Sequence, residues 1–127
     1  MCVTAAARPV PLSSTPAVAR RQLLSMLTEA GWPTDAADGV VLAVHEALVN
    51  ALRHGGGVRR AAAGFDAGSL VVKVWDQGRG FEMPGTNPVP DRLAERGRGL
   101  FLMRRLAGDV KVARRGAETC LQLRFDL

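Results

Sequence analysis

The chain has 127 residues, enough for one domain to bury a core without disulfides or a structural metal. It contains no apolar run of about 18 residues, the length that a membrane-spanning helix needs. Its first residues also lack the basic start and the apolar centre of a secretory signal. These features argue against a membrane protein and predict a cytoplasmic one.

Charge and cysteine content narrow the function classes further. Lys and Arg number 17 and Asp and Glu 12, and the formal net charge of +5 favours an anionic ligand. The arginines are scattered in pairs and the chain has no Tyr, so a nucleic-acid surface is not expected. Cys2 and Cys120 lie far apart without His or Cys at ligand spacing, which predicts reduced thiols rather than a zinc site or a disulfide.

Two helices are predicted in the first half of the chain. Ser13-Ser14-Thr15 supplies hydroxyl caps and Pro16 follows at an early helical position, so a helix is expected over about residues 16–30. Thr34 caps a second helix, which runs to about His54. The apolar residues expected to face inward from the first helix are Val18, Leu23, Leu24 and Leu27.

After the helices, the apolar period changes to that of strands and predicts two hairpins. The first joins residues 58–66 to Leu70–Trp75 with a turn near Asp66–Ser69, and the second joins Val110–Arg114 to Thr119–Phe125 around Arg115-Gly116.

The remaining segments complete an α+β pattern. Residues 1–12 contain at best an edge strand. The Gly- and Pro-rich segment 78–96 is too long for an ordinary connection and predicts a functional lid, with a disordered segment as the alternative. An amphipathic helix, Gly97–Ala107, follows. The order predicts a single domain over residues 1–127. The predicted domain is a two-layer α/β sandwich with three main helices on one face of a mixed, largely antiparallel sheet.

A row of polar residues marks the second helix. Glu46, Asn50 and His54 are spaced four apart and therefore project from one helical face. They adjoin an apolar stripe, and the glycines at 55–57 are expected to end the helix in a left-handed cap. By itself the row is equally typical of a solvated face. The stripe comprises Val41, Val44, Leu48, Ala51 and Leu52.

Two glycine motifs follow the hairpin strand and the lid. In Asp76-Gln77-Gly78-Arg79-Gly80, a carboxylate at a strand end can accept a base's exocyclic amine while glycines let the backbone approach closely. Gly97-Arg98-Gly99-Leu100 opens a helix, whose N–H groups suit phosphate oxygens. A plain turn and a glycine-capped loop are the alternatives for the two motifs, and neither a Walker nor a Rossmann glycine motif is present.

Taken together, in this order and spacing, the three stretches resemble the motifs of the Bergerat-fold, or GHKL, ATPases. Glu46-xxx-Asn50 resembles the N box, Asp76-x-Gly78-x-Gly80 the first glycine box and Gly97-x-Gly99 the second. The stretches EALVNALRHG and GRGLFLMRRLAGDV are most similar to the anti-sigma-factor serine/threonine kinases of the RsbW and SpoIIAB type. The resemblance extends from about residue 10 to the end.

The resemblance implies an ATP and Mg²⁺ site. By this likeness Asn50 coordinates the Mg²⁺ that bridges the phosphates, Asp76 binds the adenine amine, and Thr119 lies near the adenine. Glu46 is implied as the general base toward a serine of a partner protein. The other implied nucleotide-binding residues are Gly78 and Gly80 in the adenine pocket, Gly97, Arg98, Gly99 and Leu100 at the phosphates, and His54, which lines the pocket or caps the helix.

The implied function is an ATP-dependent protein serine kinase that phosphorylates a small STAS-type antagonist and sequesters a sigma factor. In such kinases the first-strand region contributes to a dimer, so a homodimer is possible. One alternative is a regulator that binds ATP without phosphoryl transfer, although a general base then has no purpose. A detached histidine-kinase domain, which needs phosphoacceptor helices upstream, and a nucleic-acid-binding module are the others. Packing roles, rather than base stacking, are expected for Trp32, Trp75, Phe101 and Met103.

Overall fold

The computed structural model describes residues 9–54, 56–77 and 101–126. The predicted lid, 78–96, and the first residues of the predicted third helix lie outside these ranges. In chain order the elements are β1 (Val10–Leu12), α1 (Pro16–Glu29), α2 (Thr34–His54), β2 (Val58–Asp66), β3 (Ser69–Asp76), a helical segment at 101–106, β4 (Asp109–Arg115) and β5 (Glu118–Phe125).

Helix α1 begins and ends close to its predicted limits. Thr15 is the N-cap residue in extended conformation and Pro16 follows it, but the Thr15 side chain makes no capping hydrogen bond. The Ser13 hydroxyl instead accepts a bond from the Thr15 N–H at 3.0 Å, and the Ser13 N–H donates to the Gln22 side chain at 2.8 Å. The hydroxyls therefore fix the turn before the helix. Of the four residues expected to face inward, Leu23 and Leu27 are buried and Val18 and Leu24 are half-buried.

Helix α2 buries most of its predicted stripe. Val44, Leu48 and Ala51 are buried and Val41 is half-buried, but Leu52 is 50% exposed. The prediction for Leu52 is wrong because successive residues turn by about 100° around a helix, which places Leu52 well to one side of Ala51. The helix packs on the sheet along the line of its alanines and valines.

The five strands form one sheet in the order β1-β2-β3-β5-β4. Every neighbouring pair of described strands is antiparallel, which confirms the predicted largely antiparallel sheet. The reason is that β4 takes the edge position and returns through a hairpin, which brings β5 beside β3 in antiparallel orientation. The predicted edge strand at the start of the chain is confirmed.

Both predicted hairpin turns are present. Ala67 and Gly68 connect β2 to β3 with φ of 52° and 86°, the positive values that tight two-residue hairpin turns require. Gly116, with φ of 56°, lies in the turn from β4 to β5. Two-residue turns fix the strand register, and that register determines which side chains share a face.

The core lies between the helices and one face of the sheet. Met103 is fully buried in it, as predicted, whereas Phe101 is 58% exposed because residues two apart point to different sides of a helix. Trp32 packs at the edge of the core against Phe65, with ring centroids 6.3 Å apart. The sheet contributes Leu70, Val72 and Val74 from β3 and Leu121, Leu123 and Phe125 from β5.

The opposite face of the sheet carries Trp75, which is half-buried there. The Arg60 guanidinium lies 4.1 Å from its ring centroid, a distance typical of a cation–π contact. Trp75 therefore has a packing role.

Among the described residues, no helix is both long and apolar enough to cross a membrane.

Candidate functional site

The last residue of β3 and the second residue of β5 form the centre of the candidate site. Asp76 and Thr119 are direct cross-strand partners in the β3–β5 ladder, so their side chains lie on the same face of the sheet. Both are buried, with 4% of Asp76 and 1% of Thr119 exposed. Asp76 is two residues after Val74 and Thr119 two residues before Leu121. Since alternate residues of a strand share a face, both side chains face the helical layer, as Val74 and Leu121 do. A carboxylate and a hydroxyl thus meet at the end of an otherwise apolar core.

The Thr119 hydroxyl is buried without a hydrogen-bond partner in the described part of the chain. Leaving a buried polar group unpaired typically costs about 1–3 kcal/mol, so native proteins rarely keep one without a purpose. A hydroxyl both donates and accepts, which suits the alternating donors and acceptors on the edge of a nucleobase. The carboxylate beside it accepts only. The pair therefore fits a ligand such as adenine, which offers an amine donor next to a ring-nitrogen acceptor.

The C-terminal end of α2 lies at the same end of the domain. Val58, the first residue of β2, pairs with Asp76, and α2 ends at His54, only four residues earlier. Asn50 is four residues before that helix end, or about one turn. Helix α2 therefore brings the amide of Asn50, and strand β3 the carboxylate of Asp76, to the same end of the sandwich.

Burial separates the members of the predicted polar row. Asn50 is 7% exposed and follows the buried Ala43 and Ala47 at helical spacing along α2, so at this position the row is not a solvated face. Glu46 is half-buried one turn earlier. His54 is the last residue of α2, and its side chain lies outside the described part of the structure. The half-buried carboxylate of Glu46 can orient a hydroxyl. The buried amide oxygen of Asn50 can bind a cation that prefers oxygen ligands.

The glycines after α2 have the conformation predicted for them. Gly56 and Gly57 have φ of 81° and 111°. The Gly57 N–H donates to the Ala51 carbonyl at 2.9 Å, which satisfies one of the carbonyls left open at a helix end. Gly55 lies outside the described residues.

Six predicted site residues lie outside the described ranges. They are Gly78 and Gly80 of the first glycine motif and Gly97, Arg98, Gly99 and Leu100 of the second. The described residues therefore include the Asp76–Thr119 end of the site and the helix that bears Asn50. It contains no group of three or more His, Cys, Asp or Glu side chains placed to hold a metal ion.

Two neighbours of the site were not identified from the sequence. Arg114 of β4 is the cross-strand partner of Thr119, so the row across the sheet reads Asp76, Thr119, Arg114. The two-residue turn at Gly116 fixes this register, and counting back from that turn would have revealed the pairing. The second neighbour is Gln77, which lies so close to Gly56 at the exit of α2 that a Cβ added at position 56 would collide with it. No local pattern signals that contact.

Comparison with known proteins places this architecture in a family. Residues 11–125 match the model of the histidine kinase-like ATPase domain. No curated protein matches the chain. Among solved structures, the chain is similar to the crystal structure of the RsbU and RsbW domains of Rv1364c from Mycobacterium tuberculosis, with a TM-score of 0.68 and 21% sequence identity.

That similarity covers 95% of the present chain but only 32% of the other, so the chain spans about a third of the length of its structural neighbour. At this identity the neighbour establishes a shared fold. The family model extends over nearly the whole sequence, including Glu46, Asn50, Asp76 and Thr119. The protein therefore belongs to the histidine kinase-like ATPase domain family.

Proposed function

We propose that the protein is an ATP-dependent serine kinase that phosphorylates a small STAS-type antagonist and also sequesters a sigma factor as an anti-sigma factor. The observation that carries the nucleotide part is the buried Asp76–Thr119 pair, whose hydroxyl has no partner among the described residues. The kinase and partner parts rest on the resemblance of the motifs to the anti-sigma-factor kinases. With such partners the protein works in the cytoplasm, and a homodimer is proposed on the same resemblance.

In this proposal Asp76 and Thr119 recognise the base. The Asp76 carboxylate accepts a hydrogen bond from the exocyclic amine of adenine, and the Thr119 hydroxyl donates to a neighbouring ring nitrogen. Both partners are buried before the ligand binds, so they are already desolvated and oriented. Gly78 and Gly80 complete the base pocket.

Asn50 and the second glycine motif bind the phosphate end. The amide oxygen of Asn50 is a hard ligand of the type that Mg²⁺ takes together with phosphate oxygens. When bound, Mg²⁺ neutralises phosphate charge. The backbone N–H groups of Gly97, Arg98, Gly99 and Leu100, which the sequence predicts to open a helix, are proposed to meet the phosphates. His54 is proposed to line the pocket or to cap α2.

Glu46 acts on the partner's serine hydroxyl. As the serine oxygen forms its bond to the γ-phosphorus, the bond from that phosphorus to the β–γ bridging oxygen breaks and ADP leaves with the electron pair. Glu46 accepts the hydroxyl proton. Since phosphoryl transfer depends mainly on positioning and charge neutralisation, one oriented carboxylate is sufficient for this task.

Calorimetry with ATP and Mg²⁺ tests the nucleotide part directly. The wild type is expected to bind ATP in a Mg²⁺-dependent manner, and Asp76→Asn is expected to weaken ATP binding and lower the preference for ATP over GTP. Asp109→Asn, an exposed carboxylate of β4, is the matched control and should bind normally. A folded wild type that binds no ATP would leave a partner-binding regulator as the function.

A further inference from the structure

We propose that Gly56 is a positioning residue of the nucleotide site, because its lack of a side chain lets Gln77, and hence Asp76, take the position needed for base binding. The inference rests on the proposed binding of ATP by Asp76. It concerns a residue outside the three motifs.

The contact between Gly56 and Gln77 leaves no room for a methyl group. A Cβ atom at Gly56 would lie 2.9 Å from the Cβ and 3.1 Å from the Cγ of Gln77. The first of these atoms is attached directly to the backbone, so a rotamer change of Gln77 moves it little. An alanine at position 56 therefore displaces backbone at one of the two positions.

Displacement at Gln77 reaches Asp76 because the peptide between them is a rigid plane. The other end of the contact is equally constrained. Gly56 is two residues from Val58, which pairs with Asp76, and the ladder is irregular between Val58 and Arg60. The exit of α2 and the end of β3 thus form one small closed unit, in which Gly56 sets the spacing.

The chain contains a matched glycine that separates crowding from backbone strain. Gly31, after α1, has φ of 79°, nearly the 81° of Gly56, but a Cβ there would meet no atom within 4 Å. Replacing either glycine by alanine imposes the same left-handed strain. Only Gly56→Ala adds the collision with Gln77.

The test compares the affinities for ATP and GTP of the wild type, Gly56→Ala, Gly31→Ala, Gln77→Gly and the double variant Gly56→Ala/Gln77→Gly. Misplacing the Asp76 carboxylate is expected to weaken ATP binding about tenfold in Gly56→Ala, the loss of one charged hydrogen bond. The ATP-to-GTP preference should fall with it. Gly31→Ala should bind as the wild type does, and the double variant should bind ATP to within about twofold of Gln77→Gly, its reference, since both crowded atoms of Gln77 are gone.

The outcomes separate this inference from the proposed function. A wild type without ATP binding overturns both. A wild type that binds ATP, with Gly56→Ala indistinguishable from Gly31→Ala in affinity and base preference, overturns only the role of Gly56. If Gly56→Ala does not fold, a folded and ATP-binding double variant supports the inference. A double variant that is also unfolded overturns it, because removing the collision leaves only the strain that Gly31→Ala measures.

Discussion

Thr119 lies directly across the β3–β5 ladder from Asp76, and its buried hydroxyl has no hydrogen-bond partner in the described part of the chain. An unpaired buried hydroxyl destabilises the free protein, whereas a ligand that pairs with it recovers the cost on binding. The same group is therefore expected to have opposite effects on folding and on nucleotide affinity.

Thr119→Val tests that relationship. The substitution keeps the branched shape and removes the hydroxyl, so the free energy of unfolding should stay unchanged or rise by about 1 kcal/mol. The affinity for ATP should fall about five- to tenfold, because one hydrogen bond to the base is lost. Urea denaturation and calorimetry measure the two effects.

Gln122 provides the control for Thr119→Val. Its side-chain oxygen is also buried and unpaired within the described residues, but Gln122 pairs with Lys73 and Lys111 and lies on the face of the sheet opposite the core. Gln122→Met should stabilise the fold to a similar degree and leave ATP affinity unchanged. Equal loss of ATP binding in both variants would show that the effect of Thr119→Val is not local to the site.

Glu46→Gln is expected to abolish phosphoryl transfer and retain ATP binding. The amide keeps the size of the carboxylate but cannot accept the serine proton, and losing a general base typically costs about 10²–10⁴-fold in rate. Transfer of labelled phosphate to a STAS-domain substrate measures the loss. Asp38→Asn, an exposed carboxylate about two turns earlier on α2, should transfer normally. Normal transfer by Glu46→Gln would remove Glu46 from the mechanism.

The sequence predicted the limits of helices and strands better than it predicted which helix residues are buried and which strands pair. Helix limits and hairpin turns follow from local signals, such as Pro16 after a cap residue and Gly68 in a tight turn, and these were confirmed. The predicted burial of Leu52 was wrong because the stripe on α2 was read one residue too wide, and Phe101 is exposed because it lies two residues from the buried Met103. Asp76 and Thr119 were each singled out, but their pairing depends on which strand lies beside β3. That choice is made by the whole sheet and not by any local pattern.

An ion-pair cluster at the far end of the sheet is predicted to contribute to stability. The Arg124 guanidinium lies 3.2 Å from the Asp66 carboxylate, donates to the Asp66 carbonyl at 3.3 Å and lies 3.7 Å from Asp126. Asp66 is buried, so Arg124→Met should lower the free energy of unfolding by about 1–3 kcal/mol. Lys111→Met, which breaks a largely exposed pair with Asp109 at 3.5 Å, should cost less than about 0.5 kcal/mol. Equal losses in urea denaturation would contradict a special role for Arg124.

Two leucines one turn apart on α2 test the burial assignments of that helix. Leu48 is fully buried and Leu52 is half exposed. Leu48→Ala should lower the free energy of unfolding by about 2–5 kcal/mol, because it leaves a cavity in the core. Leu52→Ala should change it by less than about 1 kcal/mol, since alanine's higher helix propensity offsets part of the lost contact. If the two variants are equally destabilised, α2 is rotated about its axis relative to the sheet, and the burial of Asn50 would be wrong as well.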